Sequence, residues 1–139
     1  MTDHPTSLTA DDMRPGLRAV QRATVTEAMV TKHAGGAGGG VLTTPSMILL
    51  MEETAQELTR PYLPADHTTV GFEVSVRHLA PTPPGVEITV TAELVAVDGR
   101  KLFFTVSAHN QRRKIGEGTL RRTIVRLGSL EDDAPSGRR

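Results

Sequence analysis

Thr43-Thr44-Pro45-Ser46-Met47-Ile48-Leu49-Leu50-Met51-Glu52-Glu53-Thr54-Ala55 is the stretch on which the fold turns. Thr44 reads as an N-cap, because Pro45 then occupies the first helical position, where a missing N–H costs nothing. Met47, Ile48, Met51, Ala55 and Leu58 recur at helical spacing, while Leu49 and Leu50 fill the other side. The helix is expected over residues 45–59. It stops at Arg60-Pro61, since proline disfavours helix in the residue before it. A helix apolar over most of its circumference is one that other elements wrap around. Glu52 lies inside that apolar run, where a solvated acid is not expected.

Downstream, four stretches alternate with period two. Val70, Phe72, Val74 and Val76 share one face opposite Glu73, Ser75 and Arg77, and the apolar parity then reaches His78. Pro81-Thr82-Pro83-Pro84-Gly85 breaks that strand into a wide turn. Val86, Ile88, Val90, Ala92 and Leu94 alternate with polar residues up to Asp98-Gly99, the strongest hairpin signal in the chain. Leu102, Phe104, Val106 and Ala108 form the returning strand. The last strand puts Gly116, Gly118, Leu120, Arg122 and Ile124 on one face, and its paired glycines imply another backbone passing close by.

Upstream, residues 17–26 read as a strand, and residues 1–15 as a disordered or loosely docked arm. Five glycines in the eight residues from His33 to Gly40 make a flexible loop immediately before the helix, placed to act as a flap. The domain is therefore expected over residues 16–128, with a C-terminal tail over 129–139. Strand, helix and four antiparallel strands give an α+β fold, a curved antiparallel sheet wrapped around one long central helix.

Composition narrows the function. The chain has 139 residues, enough for one core. Its 16 basic and 16 acidic residues cancel, so no generic attraction to nucleic acid or anionic membrane is indicated. With three Phe, one Tyr and no Trp, a base-stacking surface is not expected. The absence of cysteine removes thiolate catalysis, disulfides and zinc-thiolate sites, and fits a reducing cytoplasm. Residues 1–15 lack the apolar core of a signal peptide, and the apolar run from Met47 to Met51 is too short to span a bilayer. The histidines and Glu52 make no metal-ligand spacing, and no cofactor is expected.

Several motifs resemble the fluoroacetyl-CoA thioesterase type of hotdog-fold protein. They are Thr44 followed by Glu52, Arg60-Pro61-Tyr62-Leu63, Gly71 six residues before Arg77-His78, Thr82-Pro83-Pro84-Gly85, Ser107-Ala108-His109 and Ile115-Gly116 with Gly118-Thr119. The likeness runs from about Val41 to Leu127, without gaps from Thr44 to Arg122. It implies a hotdog fold, a homodimer with paired sheets, an acyl-CoA substrate, and thioester hydrolysis by Thr44, Glu52 and His78. Gly71 and Arg122 match further positions that shape or support the site. Two departures stand out: the glycine run replaces bulky and aromatic residues, and Pro45-Ser46 follows Thr44 where the relatives have Gly-Phe. Both alter the acyl-facing end of the helix.

The residues carry a reading of their own. A buried Glu52 needs a cation or hydrogen bond, and strand parity offers His78 and Arg122. Eight residues of helix rise about 12 Å, so Thr44 and Glu52 cannot touch. Glu52 is thus expected near His78, with Thr44 at the acyl group. Arg112, Arg113, Lys114, Arg121 and Arg126 form a basic cluster that reads by default as solvated charge, and alternatively as partners for coenzyme A phosphates. Hydration of an enoyl-CoA and non-catalytic acyl-CoA binding remain open as alternatives to hydrolysis.

Overall fold

The computed structural model describes residues 8–31 and 39–132. Its elements in chain order are β1 (Arg18–Thr24), α1 (Thr44–Thr59), β2 (His67–His78), β3 (Glu87–Asp98), β4 (Lys101–His109), β5 (Lys114–Arg126) and a short α2 (Leu127–Asp132). The strands form one antiparallel sheet in the order β1-β3-β4-β5-β2. With α1 packed on one face of that sheet, this is the α+β arrangement expected.

Alternation builds the core. Ile88, Val90, Ala92 and Leu94 of β3 face α1 together with Leu102, Phe104, Val106 and Ala108 of β4, all buried. Met47, Leu50, Met51, Ala55 and Leu58 of α1 meet them. Each large side chain buried this way contributes roughly 1.5–3 kcal/mol. The Asp98-Gly99 signal is a tight turn: Asp98 pairs with Lys101, and Gly99 has the positive φ, 60°, that such a turn demands.

Four expectations need correction. First, Thr43 is the N-cap of α1, its side chain accepting from Ser46 N–H, so Thr44 is the first helical residue and Pro45 the second. Second, β2 does not neighbour β3; the proline-rich segment after His78 carries the chain across to the far side of β4 and β5. Third, β2 has a bulge between Gly71 and Glu73 that leaves Phe72 unpaired. The extra residue reverses parity. Thr69 and Gly71 therefore face α1 before the bulge, and Val74, Val76 and His78 after it. Val70 and Phe72 lie on the outer face, with Lys101 Nζ 5.5 Å from the Phe72 ring centre. Fourth, Met13 of the N-terminal arm is buried in the core, and the helix Leu127–Asp132 runs on from β5 into residues 129–132, where a tail was expected.

Residues 33–38 of the proposed flap lie outside the described residues. Its base is an antiparallel bridge between Val30 and Leu42, with Thr31 N–H bonded to Val41 O at 2.9 Å. Gly40 closes that base at φ 86°, where a Cβ would run into the Thr31 backbone.

Candidate active site

Two polar pairs lie between α1 and the β2–β5 edge of the sheet. Thr44 Oγ1 and His78 Nδ1 are 2.8 Å apart, in hydrogen-bonding contact. The cap frees Thr44 for this contact: because Thr43 holds the Ser46 N–H, the Thr44 hydroxyl is not spent on the helix end. His78 is the last residue of β2, carried to the start of α1 by the register that pairs it with Gly116. Gly116 is needed there, since a Cβ would collide with the Met47 thioether. His78 Nε2 is buried and has no hydrogen-bond partner among the described residues. Such an atom is costly unless something fills the space beside it.

The second pair is built differently. Arg122 is 5% exposed, and its guanidinium is fixed at three points. Nε donates to Thr69 Oγ1 at 2.9 Å, Nη2 to Thr69 O at 2.9 Å, and Nη1 to Glu52 Oε2 at 3.2 Å. Burial pushes the Arg122 pKa below its ordinary value, and the Glu52 carboxylate offsets part of that. Arginine nonetheless stays charged. Glu52 is held at Oε2 while Oε1 has no partner among the described residues. Gly71 makes the arrangement possible: the bulge turns it toward α1, and a Cβ would strike Glu52 Oε2.

The structure thus brings Glu52, Gly71 and Arg122 together, and Thr44 and His78 together. It does not pair Glu52 with His78, as expected from parity. His78 sits beside Thr44 in the first turn of α1, about two turns before Glu52. Thr69, absent from the sequence reading, is the residue that locks Arg122; its parity was hidden by the bulge.

Of the basic cluster, Arg121 lies 3.4 Å from Glu73 and 4.9 Å from the Phe103 ring centre, and Lys114 pairs with Glu117 at 2.9 Å. No helix among the described residues is long and apolar enough to cross a membrane.

Residues 25–127 match the family model of the fluoroacetyl-CoA-specific thioesterase, FlK. The chain belongs to this family. It is 42% identical over 87 residues to the fluoroacetyl-CoA thioesterase of Streptantibioticus cattleyicolor, a match spanning 63% of each protein. A variant of FlK crystallised with fluoroacetate and CoA superposes with a TM-score of 0.78 at 35% identity, covering 85% of this chain and 99% of that one. A hot-dog-like protein from Thermanaerovibrio acidaminovorans shares the fold at 22% identity, with a TM-score of 0.76 over 85% and 87% of the two chains. The family is one of thioester hydrolases with a hotdog fold, and both pairs fall within the matched segment.

Proposed function

We propose that this protein hydrolyses short acyl-CoA thioesters, with Glu52, His78 and Thr44 acting on the substrate. The observation that carries the reading is the pair of unspent polar atoms, Glu52 Oε1 and His78 Nε2, each backed by a fixed partner. Glu52 delivers oxygen to the thioester carbonyl, as nucleophile or by taking a proton from water; both routes need Oε1 open. In its doubly protonated form His78 donates Nδ1–H to Thr44 Oγ1 and carries a second proton on Nε2, which can pass to the departing thiolate and leave a neutral imidazole. The Thr44 N–H adds a donor at the positive end of the helix, which favours the developing oxyanion. Pro45 has no N–H and Ser46 N–H is taken by the cap, so that first turn has little else to offer.

The acyl group is small; Pro45-Ser46 and the glycine run change the acyl-facing end of the helix relative to the fluoroacetyl-specific relatives, so selectivity for fluoroacetyl does not carry over from them. The working form is a homodimer. Leu49 on α1 is 56% exposed, and Phe72 and Val74 on the edge strand β2 are 46% and 42% exposed. A second copy set against this edge covers them and pairs the free strand. Sedimentation at twice the 14.9 kDa chain mass checks this; a monomer at working concentration overturns it. The compartment is the cytoplasm, in keeping with a chain free of cysteine.

The direct test is a panel of acyl-CoA substrates assayed for free thiol. Release from at least one short acyl-CoA is expected. Loss of enoyl-CoA absorbance without thiol would instead mean hydration, and thermal stabilisation without turnover would mean binding alone.

A further inference from the structure

Next to the site lies a groove of about 450 Å³ that the chemistry above does not use. One wall is apolar, with Ala80, Pro81, Pro83 and Val86; the other is the β4–β5 turn, with Asn110, Arg112 and Arg113. No acidic residue lines it. Among the described residues the guanidinium groups of Arg112 and Arg113 have no partner, unlike Lys114 and Arg121 in the same cluster.

The turn is held rigidly and tied to the catalytic end of the molecule. Asn110 Oδ1 accepts from Arg112 N–H at 2.8 Å and from Arg113 N–H at 3.0 Å, and Asn110 N–H bonds to Arg113 O at 3.0 Å. Asn110 Nδ2 donates to Thr82 Oγ1 at 3.2 Å. Thr82 is fully buried, and its carbonyl accepts from Leu42 N–H at 2.8 Å, one residue before the cap of α1. The apolar wall begins two residues after His78, a Cα separation of at most about 7 Å. Its first residues are pinned by Leu79 N–H and Ala80 N–H, both donating to Ile115 O.

We infer that Arg112 and Arg113 form the phosphate subsite for the nucleotide end of coenzyme A, with the adenosine lying on the proline wall. This rests on the acyl-CoA reading and adds to it where the carrier is recognised. Two unpaired guanidinium groups on a rigid turn suit phosphate oxygens, which arginine binds through paired N–H donors. A pantetheine arm running from His78 along residues 79–80 leads into the groove. A substrate cut off before the phosphates does not reach it.

The test compares an acyl-CoA with the matching acyl-pantetheine thioester in the wild type and in Arg112→Ala/Arg113→Ala. The ratio of kcat/KM for the two substrates is expected to fall by about tenfold or more in the double variant, through KM for the CoA ester. In the wild type the same ratio should fall with added salt, since exposed charges are screened within about 10 Å at 0.1 M. Arg112→Lys/Arg113→Lys should recover part of the ratio. An unchanged ratio, or equal losses on both substrates, overturns the subsite. If the wild type cleaves neither ester, the hydrolytic reading fails, and calorimetry with CoA decides the subsite alone. Binding lost in the alanine double variant supports it; no binding, or equal binding to both proteins, overturns it.

Discussion

The two polar pairs on α1 are built on opposite plans. Glu52–Arg122 is a scaffolded pair: Arg122 is held by both oxygens of Thr69, and Gly71 opens the notch in which the carboxylate sits. Thr44–His78 is an open pair, in which Thr44 is exposed and His78 keeps a buried nitrogen unsatisfied. Stability should therefore respond to the first pair and hardly at all to the second, whereas the proposed chemistry requires both.

The largest expected effect breaks that contrast directly. Glu52→Ala strands a buried guanidinium. Removing one partner of a fully buried ion pair costs about 3–5 kcal/mol, and Glu52 is 29% exposed, so about 2–3 kcal/mol is expected in denaturant unfolding. His78→Ala removes an exposed hydrogen bond, to Thr44, together with a buried polar atom that has no partner; the two changes oppose each other, and stability should change by less than about 0.5 kcal/mol. Equal losses in the two variants would erase the distinction between the pairs.

Gly71→Ala sharpens it. The new methyl group must push the Glu52 carboxylate away from its place on Arg122. A shift near 1 Å can lower kcat by about a hundredfold, so a loss of tens to a hundredfold is expected. A fully active Gly71→Ala enzyme would mean that Glu52 does not need its observed position.

A smaller effect separates neighbouring threonines. Thr43→Ala deletes the cap and should cost about 1 kcal/mol with little change in turnover. Thr44→Ala leaves the cap intact, so its penalty should fall on thiol release and not on melting temperature. The opposite pattern would return Thr44 to a capping role.

These pairs also mark what the sequence made readable. The helix, the Asp98-Gly99 hairpin and the alternation of β3 and β4 were legible because local pattern and burial agree there. Glu52 and Arg122 were legible as partners for the same reason: a charge on an apolar face needs a counter-charge. The bulge at Phe72 was not, since inserting one residue leaves the alternation of β2 unbroken in sequence while reversing it in space. That reversal hid Thr69 and turned Gly71 inward, so Gly71 entered through family resemblance alone. The cap fell one residue early because Thr43 and Thr44 are equivalent in composition, and Pro45 suits the first or the second position. The pairing of His78 with Glu52 came from strand parity, which tells that His78 faces α1 but not which turn of the helix it reaches.

The smallest effect involves neither pair and serves as their control. A hydrogen bond from His67 at 2.7 Å lowers the Asp66 pKa below its ordinary value. A carboxylate with a depressed folded pKa contributes stability that is present above its unfolded pKa, about 4, and is lost as pH falls through the folded value. Because Asp66 is exposed, Asp66→Asn should lower the melting temperature at pH 7 by no more than about a degree, with the difference vanishing in acid. Thiol release should be untouched.

One measurement bears on the central claim more directly than any of these: steady-state thiol release by Glu52→Gln and His78→Ala, on protein shown to be folded. Gln can still accept from Arg122, so the scaffold survives while the carboxylate is lost. Each variant is expected to retain no more than about a hundredth of wild-type kcat, the scale on which positioned acid–base groups act. Turnover at the wild-type rate in both variants would contradict the assignment of this site.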